Sequence, residues 1–181
     1  MSPWVAGLLA VGLGGGLLFG GLFVACDRST VEPATWAKSV CSALAPWRTK
    51  VADLTAAAQR EIGQAGTPAQ TKQTLTTLLG GAADASEQAR SKVSAAGIPD
   101  VDGGDGVADQ FVTALTRARD AYGHARTTVA GLDTGQAKPF YDAVDEAFTR
   151  LNDEYAGSAL DISEVGPEEL RRSFDEVPEC R

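Results

Sequence analysis

The chain of 181 residues is poor in histidine and in positive charge, and each shortage excludes a class of function. Its 16 Lys and Arg stand against 24 Asp and Glu, whereas nucleic-acid binding draws much of its affinity from a basic surface that neutralises phosphates. One histidine, His124, cannot supply the two Glu-x-x-His motifs of a di-iron bundle or a histidine-rich zinc or copper site. Because the net charge is −8, we expect no nucleic-acid partner. Because the chain has a single histidine, we expect no metal and no cofactor.

Catalytic motifs are missing as well, since the sequence contains no G-x-S-x-G, Walker loop or dinucleotide fingerprint. The glycine-rich turn with Asp100, Asp102 and Asp105 suggests calcium, but an EF-hand loop starting at Asp100 needs glycine where Asp105 stands and glutamate where Phe111 stands. Asp105 is better explained as the N-cap of a helix. His124 is interpreted as a residue on the flank of its helix. The sequence therefore predicts a protein that is not an enzyme.

Charge is absent from the first 26 residues, and the 22 residues from Trp4 to Ala25 form an unbroken apolar run. As a helix of about 1.5 Å per residue, such a run crosses a hydrocarbon core of about 30 Å. Its end, from Phe23 to Cys26, resembles the lipobox of bacterial lipoproteins, although Phe23 stands where leucine is usual. The resemblance implies cleavage before Cys26 and a diacylglycerol on its thiol.

The alternative is an uncleaved transmembrane anchor. Gly12, Gly16 and Gly20 recur every four residues, which places three positions without side chains on one helix face where another membrane helix could pack. Orientation stays open at this point, because Lys and Arg follow the leader and none precedes it, a pattern that leaves the body in the cytoplasm by the positive-inside rule.

The cysteines favour the opposite orientation. The chain has three, so lipid on Cys26 leaves Cys41 and Cys180 as a pair, and every thiol is then used. A disulfide between them implies export to an oxidising compartment and closes a loop of about 140 residues, for which chain entropy gives roughly 4 to 5 kcal/mol. The alternative is two free buried thiols in a cytoplasmic protein.

Four segments of the body show helical periodicity. The first follows an apolar stripe from Trp36 to Ala58, and Pro46 within it predicts a kink or a local break. Trp36 and Trp47 share a face of this helix, either as core residues or as part of a site, and Trp36 is close enough to the leader to touch the membrane interface.

The second segment has the clearest start, because Thr67 and Gln70 form a capping box around Pro68. The third extends from Asp105 to about Leu132, and the fourth starts at Asp133. The acidic residues of the fourth segment lie mainly off its apolar stripe and are expected to be a solvated face.

These segments predict an all-α fold, an up-down-up-down four-helix bundle preceded by the apolar signal or anchor helix. In that order the fourth helix ends near the start of the first. A short fifth helix beginning at Gly166 and Pro167 then brings Cys180 to Cys41, at the membrane-proximal end of the bundle. The expected organisation is a leader at 1–26, a tether at 27–35 and a helical bundle domain at 36–181.

The lipobox-like end, the alanine- and threonine-rich helices and the closing stretch from Phe174 to Arg181 resemble small secreted or lipid-anchored proteins of high-GC Gram-positive bacteria. That class implies no particular activity. We expect a non-catalytic envelope protein, anchored in membrane lipid with its body on the extracytoplasmic face, that binds a protein or cell-wall partner. The alternative is a single-pass accessory subunit of a membrane complex, which packs through its Gly12, Gly16 and Gly20 face.

Overall fold

The structure, a computed structural model, describes residues 29–156 and 166–180. Cys26 and the Gly12, Gly16 and Gly20 face lie outside these residues. Within the described part, no helix combines the length and the hydropathy that a membrane span requires.

Five helices dominate the described residues, in agreement with the predicted all-α class. They are α1 (Pro33–Gln64), α2 (Pro68–Ala95), α3 (Gly104–Gly131), α4 (Ala137–Ala156) and α5 (Glu168–Glu176), and a 3₁₀ turn at Pro178–Cys180 follows. Two short parallel strands, β1 (Thr30–Val31) and β2 (Ile98–Pro99), add a pairing that the sequence did not indicate. Among the described residues, the first regular element is β1 at Thr30, within the stretch expected to be a tether.

The α2 start matches its sequence signal. The hydroxyl of Thr67 accepts a hydrogen bond from the Gln70 backbone N–H at 3.3 Å. In return the Gln70 side-chain oxygen accepts one from the Gly66 backbone N–H at 3.0 Å. These bonds satisfy two donors at the turn between α1 and α2, which fixes where α2 begins.

Two other helix starts differ from expectation. The N-cap of α3 is Gly103, in a left-handed conformation with φ of 69°, and Asp105 lies in the first turn instead of capping it. The prediction that α4 starts at Asp133 is also wrong, since the helix begins at Ala137. The Asp133 carboxylate accepts the Gly135 backbone N–H at 2.8 Å, and this local bond competes with helix formation there.

Of the kink or local break predicted at Pro46, the break does not occur, because α1 is helical from Pro33 to Gln64. Proline removes the donor that would bond the carbonyl of Ser42 four residues earlier. Ser42 and Pro46 are both exposed, so water can hydrate this part of the helix in place of the missing bond.

Helix α2 packs between α1 and α3, α4 lies against α3 and α2, and α5 lies against α1. The buried side chains form two clusters. The disulfide-end core joins α1, α2, α3 and α5 and contains Trp36, Val40, Cys41, Leu44, Val93, Phe111, Leu115, Leu170 and Phe174. The far-end core joins α2, α3 and α4 and contains Leu75, Leu79, Ala121, Ala125, Val129, Phe140, Val144 and Leu151.

A disulfide joins Cys41 of α1 to Cys180 at the end of the 3₁₀ turn, with Cα atoms 5.0 Å apart, which confirms the predicted pairing. The fifth helix is also confirmed, since Pro167 caps α5 and Leu170 and Phe174 are buried in the disulfide-end core. The amphipathic C-terminal segment thus covers the start of α1 and places the second cysteine beside the first.

Candidate functional site

Trp36, one of the two tryptophans considered for a site, is a core residue. It has no exposed surface, and its ring meets those of Phe111 and Phe174 edge to face, with centroids 5.4 and 6.0 Å away. Its indole N–H donates to the Gly97 carbonyl at 3.1 Å, which ties α1 to the connection that follows α2. The suggested contact of Trp36 with a membrane interface is therefore wrong.

His124 and the acidic residues of α4 form hydrogen bonds and ion pairs at the surface. The exposed His124 Nδ1 lies 2.9 Å from Glu154 Oε2, across the contact between α3 and α4. Within α4, Lys138 pairs with Asp142 at 2.8 Å. These carboxylates are exposed, as the sequence indicated, and nothing desolvates them to set up acid and base roles.

The turn before α3, which contains Asp100 and Asp102, is tied to β1 through its backbone. Asp100 donates its N–H to the Val31 carbonyl at 2.8 Å and so extends the pairing of β1 with β2. Among residues 29–156 and 166–180, no group of three or more His, Cys, Asp or Glu side chains is placed to hold a metal ion.

Tyr122 of α3 and Tyr155 of α4 form a half-buried pair whose ring centroids are 5.8 Å apart. Burial raises the pKa of Tyr122 to about 12, and the neighbouring Tyr155, which hydrogen-bonds to it, adds to the increase. The pair stabilises the contact between α3 and α4 in its neutral form.

A groove of about 780 Å³ lies between α1 and α2, and we call it the α1–α2 groove. It is lined by residues between Ala43 and Leu54 of α1, by residues between Thr76 and Lys92 of α2, and by Arg126 of α3. Its lining combines small residues and apolar side chains with exposed charges, so its chemistry is that of noncovalent binding.

Trp47 forms a fixed wall of this groove. Its indole N–H donates to the hydroxyl of Ser86 at 3.0 Å, and that hydroxyl donates to the Ala82 carbonyl at 2.8 Å. Ser86 is fully buried, and this chain of bonds satisfies its polar atom. The half-buried ring of Trp47 is thereby held in one orientation with part of its surface open to the groove.

Two consecutive glycines in α2 create the space. A Cβ on Gly81 would lie 2.8 Å from Leu54 Cδ1, and a Cβ on Gly80 would lie 3.3 Å from Arg126 Nε. The absence of side chains lets Leu54 of α1 and Arg126 of α3 lie over the α2 backbone from its two sides. Each glycine costs up to about 1 kcal/mol of helix propensity relative to alanine, so the close approach has an energetic penalty.

The groove carries positive charge in an acidic protein. Lys50, Lys92 and Arg126 line it together with a single acidic residue, Asp84, and all four side chains are exposed. None of the three cations forms an ion pair or hydrogen bond with another residue of the described chain. The groove therefore has three cationic residues against one carboxylate, Asp84, and none of the three cations is engaged in an ion pair within the described residues.

The neighbouring charges between α2 and α3 are paired, in contrast. Glu87 accepts from Arg90 within α2 and from Arg119 of α3, at 2.6 and 2.8 Å. These hydrogen bonds lower the pKa of Glu87 to about 2. Arg119 also pairs with Asp120 at 2.7 Å. This network links α2 to α3, and both of its arginines, Arg90 and Arg119, are paired with carboxylates.

The sequence pointed to only part of this site. Trp47 was singled out, but Lys50, Lys92 and Arg126 come from three helices and share no motif. The Gly80–Gly81 pair is the signal that could have been used, because two glycines inside a helical pattern indicate close approach by a neighbour.

Comparison of the chain with protein-family models, with curated proteins and with solved structures finds no match.

Proposed function

We propose that this is a non-catalytic binding protein of the cell envelope, held in the membrane by its N-terminal segment with its helical body on the extracytoplasmic face. The body would bind a protein or cell-wall partner. The disulfide between Cys41 and Cys180 carries this proposal, because such bonds persist in oxidising compartments and are rare in the cytosol.

The position of the disulfide suits an anchored body. Cys41 lies near the start of α1, a short distance along the chain from the apolar leader and Cys26. At about 1.5 Å per helical residue, Lys50 lies roughly 14 Å further along α1, away from the leader. In the proposed arrangement the disulfide end faces the membrane, and the α1–α2 groove extends from that end along the body, away from the leader.

The measurement that tests anchoring is the intact mass of the full chain extracted from membranes of its native host. Loss of residues 1–25 with a diacylglyceryl group on Cys26 identifies a lipoprotein, and Cys26→Ala then remains uncleaved. Retention of Met1 to Ala25 identifies a transmembrane anchor and leaves the accessory-subunit alternative, with pairing through Gly12, Gly16 and Gly20.

Non-reducing peptide mapping of the same material tests the compartment. We expect one peptide pair joined through Cys41 and Cys180 in protein whose thiols were blocked before lysis. Both cysteines recovered as blocked free thiols would refute the extracytoplasmic location. Recovery of the chain in the soluble cytosolic fraction would refute the anchor.

A further inference from the structure

We infer that the α1–α2 groove binds an acidic amphipathic helix of a partner protein. This inference rests on the proposed function and specifies the chemistry of the partner. Three properties of the groove support it, namely its length between two helices, its apolar interior and its unpaired cations.

The shape suits a helix. Residues Thr76 to Lys92 of α2 line the groove, a distance of about 24 Å at 1.5 Å per residue, which corresponds to about 16 residues of an occupying helix. A groove between two packed helices receives the apolar ridge of a third. Its floor consists of Ala85 together with Leu54 and Arg126, which cover Gly81 and Gly80.

The interior selects an apolar stripe. Trp47 is fixed by its bond to Ser86, and Leu54 lies over Gly81, so both apolar surfaces are in place before a ligand binds. Side chains at positions i, i+3, i+4 and i+7 of a helix would cover them. Preorganised aromatic surface of this kind loses little conformational entropy on binding.

The charges select acidic flanks. Lys50, Lys92 and Arg126 come from α1, α2 and α3, so they border the groove on more than one side. A neutral apolar helix would cover these cations without pairing them, which costs free energy. A polyanion without an apolar face would pair the cations and leave Trp47 and Leu54 in water. An acidic amphipathic helix satisfies both parts of the groove.

Site-specific photocrosslinking of the full chain in its native host tests the inference. A photoreactive residue replaces Gln88, which is exposed in the groove, and the matched control replaces Gln110, which is exposed on α3 outside it. We expect position 88 and not position 110 to crosslink to a protein segment with an apolar stripe and acidic flanks.

Charge reversal makes the test specific. Lys50→Glu, Lys92→Glu and Arg126→Glu together should reduce the crosslink about tenfold or more, because three exposed attractions become repulsions. Arg48→Glu, on an exposed α1 position that does not line the groove, should change it less than about twofold. Circular dichroism and the melting temperature check that both variants fold.

A purified system provides a second measurement with defined probes. A 16-residue helical peptide with leucines on one face and glutamates on its flanks should bind the full chain, and the same peptide with lysines should not. The triple variant should reverse this preference. Equal binding of the two peptides, binding of neither, or equal binding of non-helical polyglutamate would overturn the inference.

The outcomes also separate the inference from the proposed function. A partner crosslinked from position 110 and not from 88 keeps the envelope function and overturns the groove assignment. Crosslinks from position 88 to lipid, to a wall polymer or to a segment without acidic flanks overturn it too. Free Cys41 and Cys180 thiols in cells would instead refute the proposed function while leaving the peptide measurement valid.

Discussion

Removal of the disulfide should destabilise the protein strongly. The double variant Cys41→Ala, Cys180→Ala deletes a bond that joins residues separated by 139 positions. Chain entropy for a loop of this length gives a stabilisation of about 5 kcal/mol at 25 °C, because the crosslink restricts the unfolded chain. Without the disulfide, the segment of α5 and the 3₁₀ turn is no longer attached covalently to α1, so it should also open locally from the disulfide-end core.

That free energy predicts a large shift in thermal unfolding. A domain of this size loses about 2 to 4 °C of melting temperature for each kcal/mol, so the double variant should melt about 10 to 20 °C below the wild type. Alanine at the buried Cys41 position leaves only a small cavity, which contributes a minor part of the shift.

The assay is thermal unfolding of the full chain followed by far-UV circular dichroism. Reduced wild type should melt close to the double variant, and reductant should not change the variant. A decrease of less than about 4 °C would refute the loop-entropy reasoning, since it corresponds to about 1 kcal/mol. A variant that still responds to reductant would show an intermolecular disulfide through Cys26, the one cysteine left in it.

Further predictions concern a helix start and two titrating groups. Gly104→Ala should cost about 1 to 3 kcal/mol in urea unfolding, because its Cβ would lie 2.0 Å from the Pro99 carbonyl oxygen. Gly106→Ala, whose Cβ meets nothing within 4 Å, should stabilise the same helix by about 0.5 to 1 kcal/mol. Equal effects of the two substitutions on stability would contradict the close approach of Gly104 to the Pro99 carbonyl. Glu87 has a pKa near 2 against the usual 4.5, so its contribution is complete above pH 4.5 and disappears as the pH falls towards 2. Glu87→Gln should weaken the pH dependence of the unfolding free energy between pH 4.5 and 2. An unchanged pH dependence would count against the pairing of Glu87 with the two arginines. The Tyr122 phenol, with a pKa near 12, should ionise last in an absorbance titration, and folded stability should fall as the pH rises from 10 to 12. Tyr122→Phe should remove that late step.

Local signals in the sequence predicted much of the fold. Thr67 and Gln70 marked the start of α2, and the cysteine count identified the Cys41–Cys180 pair. The helix start depends on residues close in sequence, and the cysteine pairing follows from the number of cysteines. The errors at Asp133 and Asp105 arise because an aspartate has several favourable places near a helix start: Asp133 bonds a turn before the helix, and Asp105 lies in the first turn, where a carboxylate interacts favourably with the helix dipole.

The groove could not be predicted because it depends on which helix faces stay uncovered. Arg126 reaches Gly80 from another helix, and no spacing rule connects positions so far apart in the chain. The helical pattern of α2 showed that one face is small and apolar but not that Trp47 would be fixed beside it by the buried Ser86. Helix packing therefore decides the site, and periodicity alone does not.

The bond between Cys41 and Cys180 also determines how the molecule carries mechanical load. A force applied between the two ends of the chain follows the covalent path through residues 29–41, crosses the sulfur atoms and leaves at Cys180. Helices α2, α3 and α4 lie on a closed ring outside this path, as does the part of α1 beyond Cys41. Tension can extract β1 and the start of α1, while the groove, which lies entirely within the ring, bears none of it.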